Sequence, residues 1–260
     1  MLPSFPGEQA SCRPAAERVF AIASEIRYTD AFVCIVPILE SDMPTLLKLA
    51  AFDLDGVIAD TEPLHKNAKL RIFRELDLKN SMDLDQHIGR PNSELWMSVI
   101  RENSLDRTPK ELEKTQYDYI LEQMRDDHIP LSDGLVDLVD AFERAGARCG
   151  VCSSSDRYYV DRVLALYGLT GRFGFVVAGD QVPEKKPAPD GYRKLAADAG
   201  VDPAFAVAIE DSSAGVASAT AAGLRCIGYV NPTSGKQDLR GSFMRVHKLA
   251  EITSWLDRNT

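Results

Sequence analysis

The sequence predicts an α/β protein: a Rossmann-like parallel sheet with helices on both faces, topped by a small all-helical cap domain. Three observations lead there. Short, nearly continuous apolar runs end abruptly in polar residues, as strands buried on both faces of a parallel sheet do. Amphipathic patterns of helical period separate those runs, which implies right-handed crossovers between parallel strands. One interval, from Asp60 to Leu131, breaks the alternation and holds helical patterns alone.

The first strand is read over Leu46 to Phe52 and is closed by Asp53-Leu54-Asp55-Gly56. The interval after it carries Leu64, Ala68, Ile72, Phe73 and Leu76 on one helical stripe, with further helical patterns over Ser93 to Ile100 and Pro109 to Met124. Inserted at the polar end of the first strand, these helices stand over the sheet's functional edge as a lid. Leu135, Leu138, Val139 and Phe142 then recur at helical spacing and stop at Gly146, a usual helix terminator. A strand over Cys149 to Cys152 ends in Ser153-Ser154-Ser155, and the helix with Tyr159, Val163 and Leu166 stops at Gly168. Phe173 to Ala178 ends in Gly179-Asp180, before a helix with Tyr192, Leu195 and Ala199. Phe205 to Ile209 ends in Glu210-Asp211-Ser212, before a helix with Val216, Ala219 and Ala222. Leu224 to Val230 ends in Asn231-Pro232. The domains are therefore an α/β core over 45–60 and 132–260 and a helical cap over 61–131, with Asp60-Thr61 and Ile129 to Ser132 as expected hinges.

Residues 1–44 contain Pro3, Pro6, Gly7, Pro14 and Pro37, show no clear period, and lack the basic start and early apolar core of a signal peptide. They read as a mobile or loosely docked extension outside the core, and Met43 is a candidate start of the natural product. The 260 residues suffice for a sizeable core without disulfides or structural metal. A hydrophobic fraction of 45% and a charged fraction of 27% are those of a globular protein. With 30 Lys and Arg against 39 Asp and Glu, and no basic run, nucleic acid is not the expected partner. The longest apolar stretch, Ala31 to Leu39, is too short for a membrane span, so no membrane is expected either. Five scattered cysteines fit a reducing, cytoplasmic setting. Cys149-x-x-Cys152 has no second pair, and within a strand its thiols face opposite sides, which favours packing over metal or redox work. A monomer is expected.

In open α/β sheets ligands bind at the carboxyl ends of the strands, where the polar residues of this chain gather. Asp53 and Asp55 lie two apart after a buried strand, so their side chains point the same way. Two close carboxylates need a cation between them, a raised pKa on one, or both. Aspartates that cap a turn are the plain alternative for that pair alone. The residues that follow do not match a calcium loop, whose sixth and twelfth positions are here Ile58 and Leu64. Ser153 stands between a strand and a helix, suited either to an anion or to a helix cap. Lys186 lies on a stretch stiffened by Pro187 and Pro189, and Glu210 with Asp211 forms a second acidic pair suited to Mg²⁺.

Each feature is weak alone, but their order is specific. It resembles the four motifs of the haloacid dehalogenase superfamily: Asp53-Leu54-Asp55-Gly56-Val57; Ser153; Lys186-Pro187-x-Pro189-Asp190; and Glu210-Asp211-Ser212 with Gly215 and Ala222-Gly223. The likeness covers about residues 46 to 230. The helical insertion, opening with Asp60-Thr61-Glu62-Pro63-Leu64-His65, is similar to the group of β-phosphoglucomutase and the sugar-phosphate phosphatases.

The resemblance implies that Asp53 attacks phosphorus and Asp55 serves as acid and then base. It implies that Ser153, Ser154 and Lys186 hold the phosphate, and that Asp53, Asp55, Glu210 and Asp211 hold Mg²⁺. Thr61, His65, Arg90 and Gln116 become candidate cap or substrate contacts. Gln116 stands, counting from Leu112, where β-phosphoglucomutases carry a substrate-gripping lysine, although Lys114 is near. The expected substrate is a small phosphorylated metabolite, a sugar phosphate, hydrolysed through a phospho-aspartyl intermediate. The alternatives are a mutase of the β-phosphoglucomutase kind and a non-catalytic phosphate-ligand sensor. A dehalogenase needs neither the second aspartate nor a metal, and Asp55, Glu210 and Asp211 argue against it.

Overall fold

The computed structural model describes residues 47–78 and 92–259; the expected extension over 1–44 and Arg90 lie outside them. Six parallel strands form one sheet in the order β3-β2-β1-β4-β5-β6. They are β1 (Leu49–Phe52), β2 (Arg148–Cys152), β3 (Phe175–Val177), β4 (Ala206–Glu210), β5 (Arg225–Tyr229) and β6 (Met244–Val246). After β1 come the inserted helices α1 (Glu62–Glu75), α2 (Asn92–Asn103) and α3 (Pro109–Asp126), then α4 (Leu135–Arg144) leading into β2. The remaining crossovers use α5 (Arg157–Leu166), α6 (Asp190–Asp198) and α7 (Ser213–Ala221), and α8 (Leu249–Asn259) follows β6.

Strand alternation divides the core into two layers. Ala50 and Phe52 face a layer with Leu138, Phe142, Val160, Val163, Leu249 and Ile252, contributed by α4, α5 and α8. Leu49 and Ala51 face the opposite layer, with Tyr192, Leu195, Val216 and Ala219 from α6 and α7. Cys149 packs in the first layer and Cys152 in the second, each a free buried thiol. Burial pushes both thiols up to about 12, so neither is a ready nucleophile or metal ligand. The five strands read from the sequence are present, but β6 was not among them. At three residues it is too short to display an alternation. Leu166, read as part of a buried stripe, is 41% exposed; the buried face of α5 is Tyr159, Val160, Val163 and Leu164. No helix of the described residues is long and apolar enough to cross a membrane.

The inserted helices have a small core of their own, in which Ile72, Phe73, Leu95, Trp96, Val99 and Leu112 are buried together. Phe73 meets Trp96 edge to face at 6.0 Å between centroids. Their two connections to the sheet run side by side, tied by an Ala59–Leu131 bridge and by Ser132 N–H donating to Ile58 O at 3.0 Å. Helix α3 also docks on α5, where Tyr117 and Tyr159 stack at 4.7 Å and Tyr158 Oη donates to Asp118 Oδ1 at 2.5 Å.

Register then sets the site. Phe52 pairs with Val151 on one side and with Ile209 on the other. The residues that follow, Asp53 and Glu210, therefore leave the sheet next to each other. Strand order reverses about β1, and crevices at such switch points bind ligands. Because the cap core is separate, Trp96→Ala should cost it about 3–5 kcal/mol. Hydrogen exchange should speed up in α1, α2 and α3 while β1 and β4 stay protected. Equal loss of protection in sheet and cap would contradict that division.

Candidate active site

Asp53 follows β1 directly and is 8% exposed, its amide anchored to Ile209 O at 3.0 Å. Glu210 ends β4 and is fully buried, while Asp211 begins the turn into α7 at 4% exposure. Carboxylate oxygens of Asp53, Glu210 and Asp211 lie within 4.8 Å of one another. Lys186 Nζ spends its three hydrogens on Asp53 Oδ1 at 2.6 Å, Glu210 Oε1 at 2.5 Å and Cys152 O at 2.7 Å. Tyr192 Oη donates to the same Glu210 oxygen, and Ser234 Oγ donates to Asp211 Oδ2.

Two glycines permit this crowding. A Cβ at Gly56, whose φ is +84°, would lie 1.9 Å from Asp211 Oδ2, and one at Gly215 would lie 1.9 Å from Glu210 Oε2. Ser212 Oγ accepts from Gly215 N at 3.0 Å and caps α7, which leaves Glu210 and Asp211 free of capping duty.

The electrostatics follow from burial. Burial and the neighbouring Glu210 push Asp53 up to about 8, against the opposing pull of Lys186. Burial, Asp53 and Glu210 likewise hold Asp211 well above the usual carboxylate range. Burial disfavours the Lys186 ammonium, yet Asp53 and Glu210 outweigh it and keep that group protonated far above the lysine range. Buried carboxylates that keep their protons for want of positive charge form a site short of a cation. The donor set is entirely oxygen, which suits a hard ion such as Mg²⁺.

Asp55 has the opposite environment. Thr61 Oγ1 donates to Oδ1 at 2.7 Å, Tyr159 Oη to Oδ1 at 3.1 Å and Ser155 Oγ to Oδ2 at 2.9 Å. His65 Nε2 lies 3.2 Å from Oδ1. Burial alone would raise Asp55, but His65, Thr61 and Ser155 together bring it down to about 2. Trp96 Nε1 donates to Gln116 Oε1 at 3.0 Å, so the Gln116 amide nitrogen faces His65 Nδ1, at 2.8 Å. Nδ1 therefore accepts, and His65 carries its proton on Nε2, toward Asp55. Thr61 stands at the N-cap of α1 without capping it, because its hydroxyl is committed to Asp55.

A cavity of about 90 Å³ opens between the sheet edge and the inserted helices. Asp53, Asp55, Lys186, Asp211, Ser154 and His65, all singled out in the sequence, line it. Ser153 does not; its Oγ accepts from Ser155 N at 3.0 Å. Gln116, expected to meet substrate, is fully buried, held between Trp96 and His65 away from the cavity. Thr61, 1% exposed, is likewise a partner of Asp55 and not a lining residue. Arg90 lies outside the described residues.

Sequence reasoning missed Ser155 and Tyr159 on Asp55, and Glu62, Lys69, Glu113 and Tyr117 on the cavity wall. The third serine of the run was a visible signal for the first. For the wall, the signal was charge at otherwise buried helix positions.

The sequence pattern of the haloacid dehalogenase-like hydrolase family matches residues 50–229. The protein CbbY of Cereibacter sphaeroides is 32% identical over 80% of this chain and 94% of its own length. Fructose-1-phosphate phosphatase YqaB of Escherichia coli K12 is 33% identical over 68% of this chain and 93% of its own. Among solved structures, CbbY from Rhodobacter sphaeroides in complex with phosphate superposes with a TM-score of 0.72 at 26% identity, covering 80% of this chain and 96% of that one. The paired acids at two strand ends, the lysine bridging them and the inserted helices thus stand in a known framework, and the chain belongs to the haloacid dehalogenase-like hydrolase family.

Proposed function

We propose that this protein is a Mg²⁺-dependent phosphatase that hydrolyses a small phosphorylated metabolite, a sugar phosphate, through a phospho-aspartyl intermediate on Asp53. The observation that carries the reading is the close grouping of Asp53, Glu210 and Asp211 around Lys186, with Asp53, Asp211 and Lys186 on one wall of a cavity and Glu210 buried behind them. Relatives named as phosphatases of fructose 1-phosphate and of hexitols support the substrate class.

Asp53 Oδ is the nucleophile: it bonds to phosphorus as the ester oxygen leaves, and water later breaks the acyl phosphate. Asp53, Asp211 and Glu210 would hold Mg²⁺, which supplies positive charge where nucleophile and phosphate would otherwise repel. Lys186 supplies a fixed charge-assisted donor at the same place, held by Glu210 and the Cys152 carbonyl. Ser154, in the turn before α5, faces the phosphate oxygens.

Asp55, ionised and surrounded by donors, is poised as the base that takes the proton of the hydrolytic water. For the first step it must carry a proton to the leaving oxygen, exchanging some of its four partners for the substrate. Two of those partners, Thr61 and His65, come from the inserted segment, so closure of the cap reaches Asp55 directly.

Asp53→Asn keeps size and removes the nucleophile; turnover of an aryl phosphate with Mg²⁺ should fall by roughly 10⁴-fold or more, while the circular-dichroism spectrum stays that of the folded chain. Full activity in the variant would overturn the reading.

A second expectation concerns pH. The value of about 8 for Asp53 in the folded protein is above that of the unfolded chain, about 4, so the metal-free protein loses stability as pH rises through that window. Asp211 acts in the same sense. Bound Mg²⁺ offsets the loss, so the rise in Tm on adding Mg²⁺ should be larger at pH 8 than at pH 5, and Asp211→Asn should abolish most of it. A Mg²⁺ effect independent of pH would contradict the site.

A further inference from the structure

Glu113, on α3, lines the cavity that contains Asp53 and is only 6% exposed. Its Oε1 is cut off from solvent and has no hydrogen-bond partner; among the described residues only Thr253 Oγ1 shares that condition. Buried carboxylate oxygens are otherwise satisfied, because leaving one without a donor costs most of its lost hydration. A molecule bound in the cavity that this side chain lines would be the source of the missing donor.

The neighbourhood decides what kind of donor fits. Glu62 and Lys69, both from α1, share this wall with Lys185; Lys69 interacts electrostatically with both carboxylates and Lys185 with Glu113. A second phosphate dianion offers only acceptor oxygens and would leave Glu113 Oε1 without a donor. An ammonium group would donate but would meet Lys69. A hydroxyl donates without charge and has neither defect.

We infer that Glu113 is the specificity-determining residue of this site and accepts hydrogen bonds from the hydroxyl groups of a neutral polyol or sugar end of a monophosphate. This deepens the phosphatase reading above and rests on it, since Asp53 and Lys186 take the phosphate at the other end. It also replaces Gln116 with Glu113 as the residue of α3 that reads the substrate.

The test uses the full chain with Mg²⁺ and four substrates: a hexitol monophosphate, its amino-substituted analogue, a bisphosphate on the same carbon skeleton, and p-nitrophenyl phosphate. The readout is kcat/KM for the hexitol monophosphate divided by that for the aryl phosphate. Losing a hydrogen bond to a charged acceptor should lower this ratio about tenfold or more in Glu113→Ala, chiefly through KM. Glu113→Gln, which keeps volume and one acceptor oxygen, should lower it by about threefold and guards against a variant that fails to fold. Glu113→Lys should move preference toward the bisphosphate. An unchanged ratio in both neutral variants overturns the inference, as does a wild-type preference for the bisphosphate or the amine, while the phosphatase reading stands. Failure of the wild type to hydrolyse any of the four overturns both.

Discussion

The structure is organised around a concentration of like charge that neighbouring strands impose. Parallel pairing of β1 with β4 sets Asp53 beside Glu210, and Asp211 follows one residue later. At separations within 4.8 Å and an effective dielectric near 20, each pair of ionised carboxylates would repel by about 3.5 kcal/mol or more. Lys186 cancels part of this, but one ammonium faces three acids. The rest of the core holds the arrangement in place: the strands are buried on both faces, and Gly56 and Gly215 remove the atoms that would push Asp211 and Glu210 apart. A site that spends stability on crowded carboxylates is suited to the cation and the phosphate that the proposed reaction would bring together.

The first aspartate pair illustrates how the same residue type is given two tasks. Asp53 is pushed up by burial and Glu210, whereas Asp55, two residues on, is pulled down by His65, Thr61 and Ser155. Surroundings that drive two like groups apart suit them to different work, here the nucleophile and the acid–base roles proposed for Asp53 and Asp55. The partners of Asp55 come from both sides of the cavity: Ser155 and Tyr159 from the turn before α5 and from α5 itself, Thr61 and His65 from the insertion. Behind His65, the Gln116 amide held by Trp96 fixes which ring nitrogen carries the proton. The cap's small hydrophobic core is thereby connected to the chemistry through three hydrogen bonds.

Much of this was legible in the sequence because parallel strands put their carboxyl ends at one edge, whatever the loops between them do. Asp53, Asp55, Lys186 and Asp211 could be gathered from three strand ends without knowing any distance. The cap was harder. Counting from Leu112 leads to Gln116, which is one helical turn on and so shares its buried face, turned toward Trp96. Glu113 and Tyr117, also one turn apart, form the adjacent face that borders the cavity. Hydrophobic period marks which stripe of a helix is buried, but not which of two neighbouring buried stripes meets the active site; that depends on how α3 docks on α5. The same holds for Tyr159, which has the spacing of a core residue and sends only its hydroxyl to Asp55.

The central claim is that Asp53, Glu210 and Asp211 share one divalent cation. Mn²⁺ prefers the same oxygen ligands and octahedral geometry as Mg²⁺ and scatters anomalously, so crystals soaked in Mn²⁺ test the claim directly. A single strong anomalous peak within bonding distance of Asp53 and Asp211 is the predicted result. A map with its peak elsewhere, or with none among these carboxylates at saturating Mn²⁺, would contradict it.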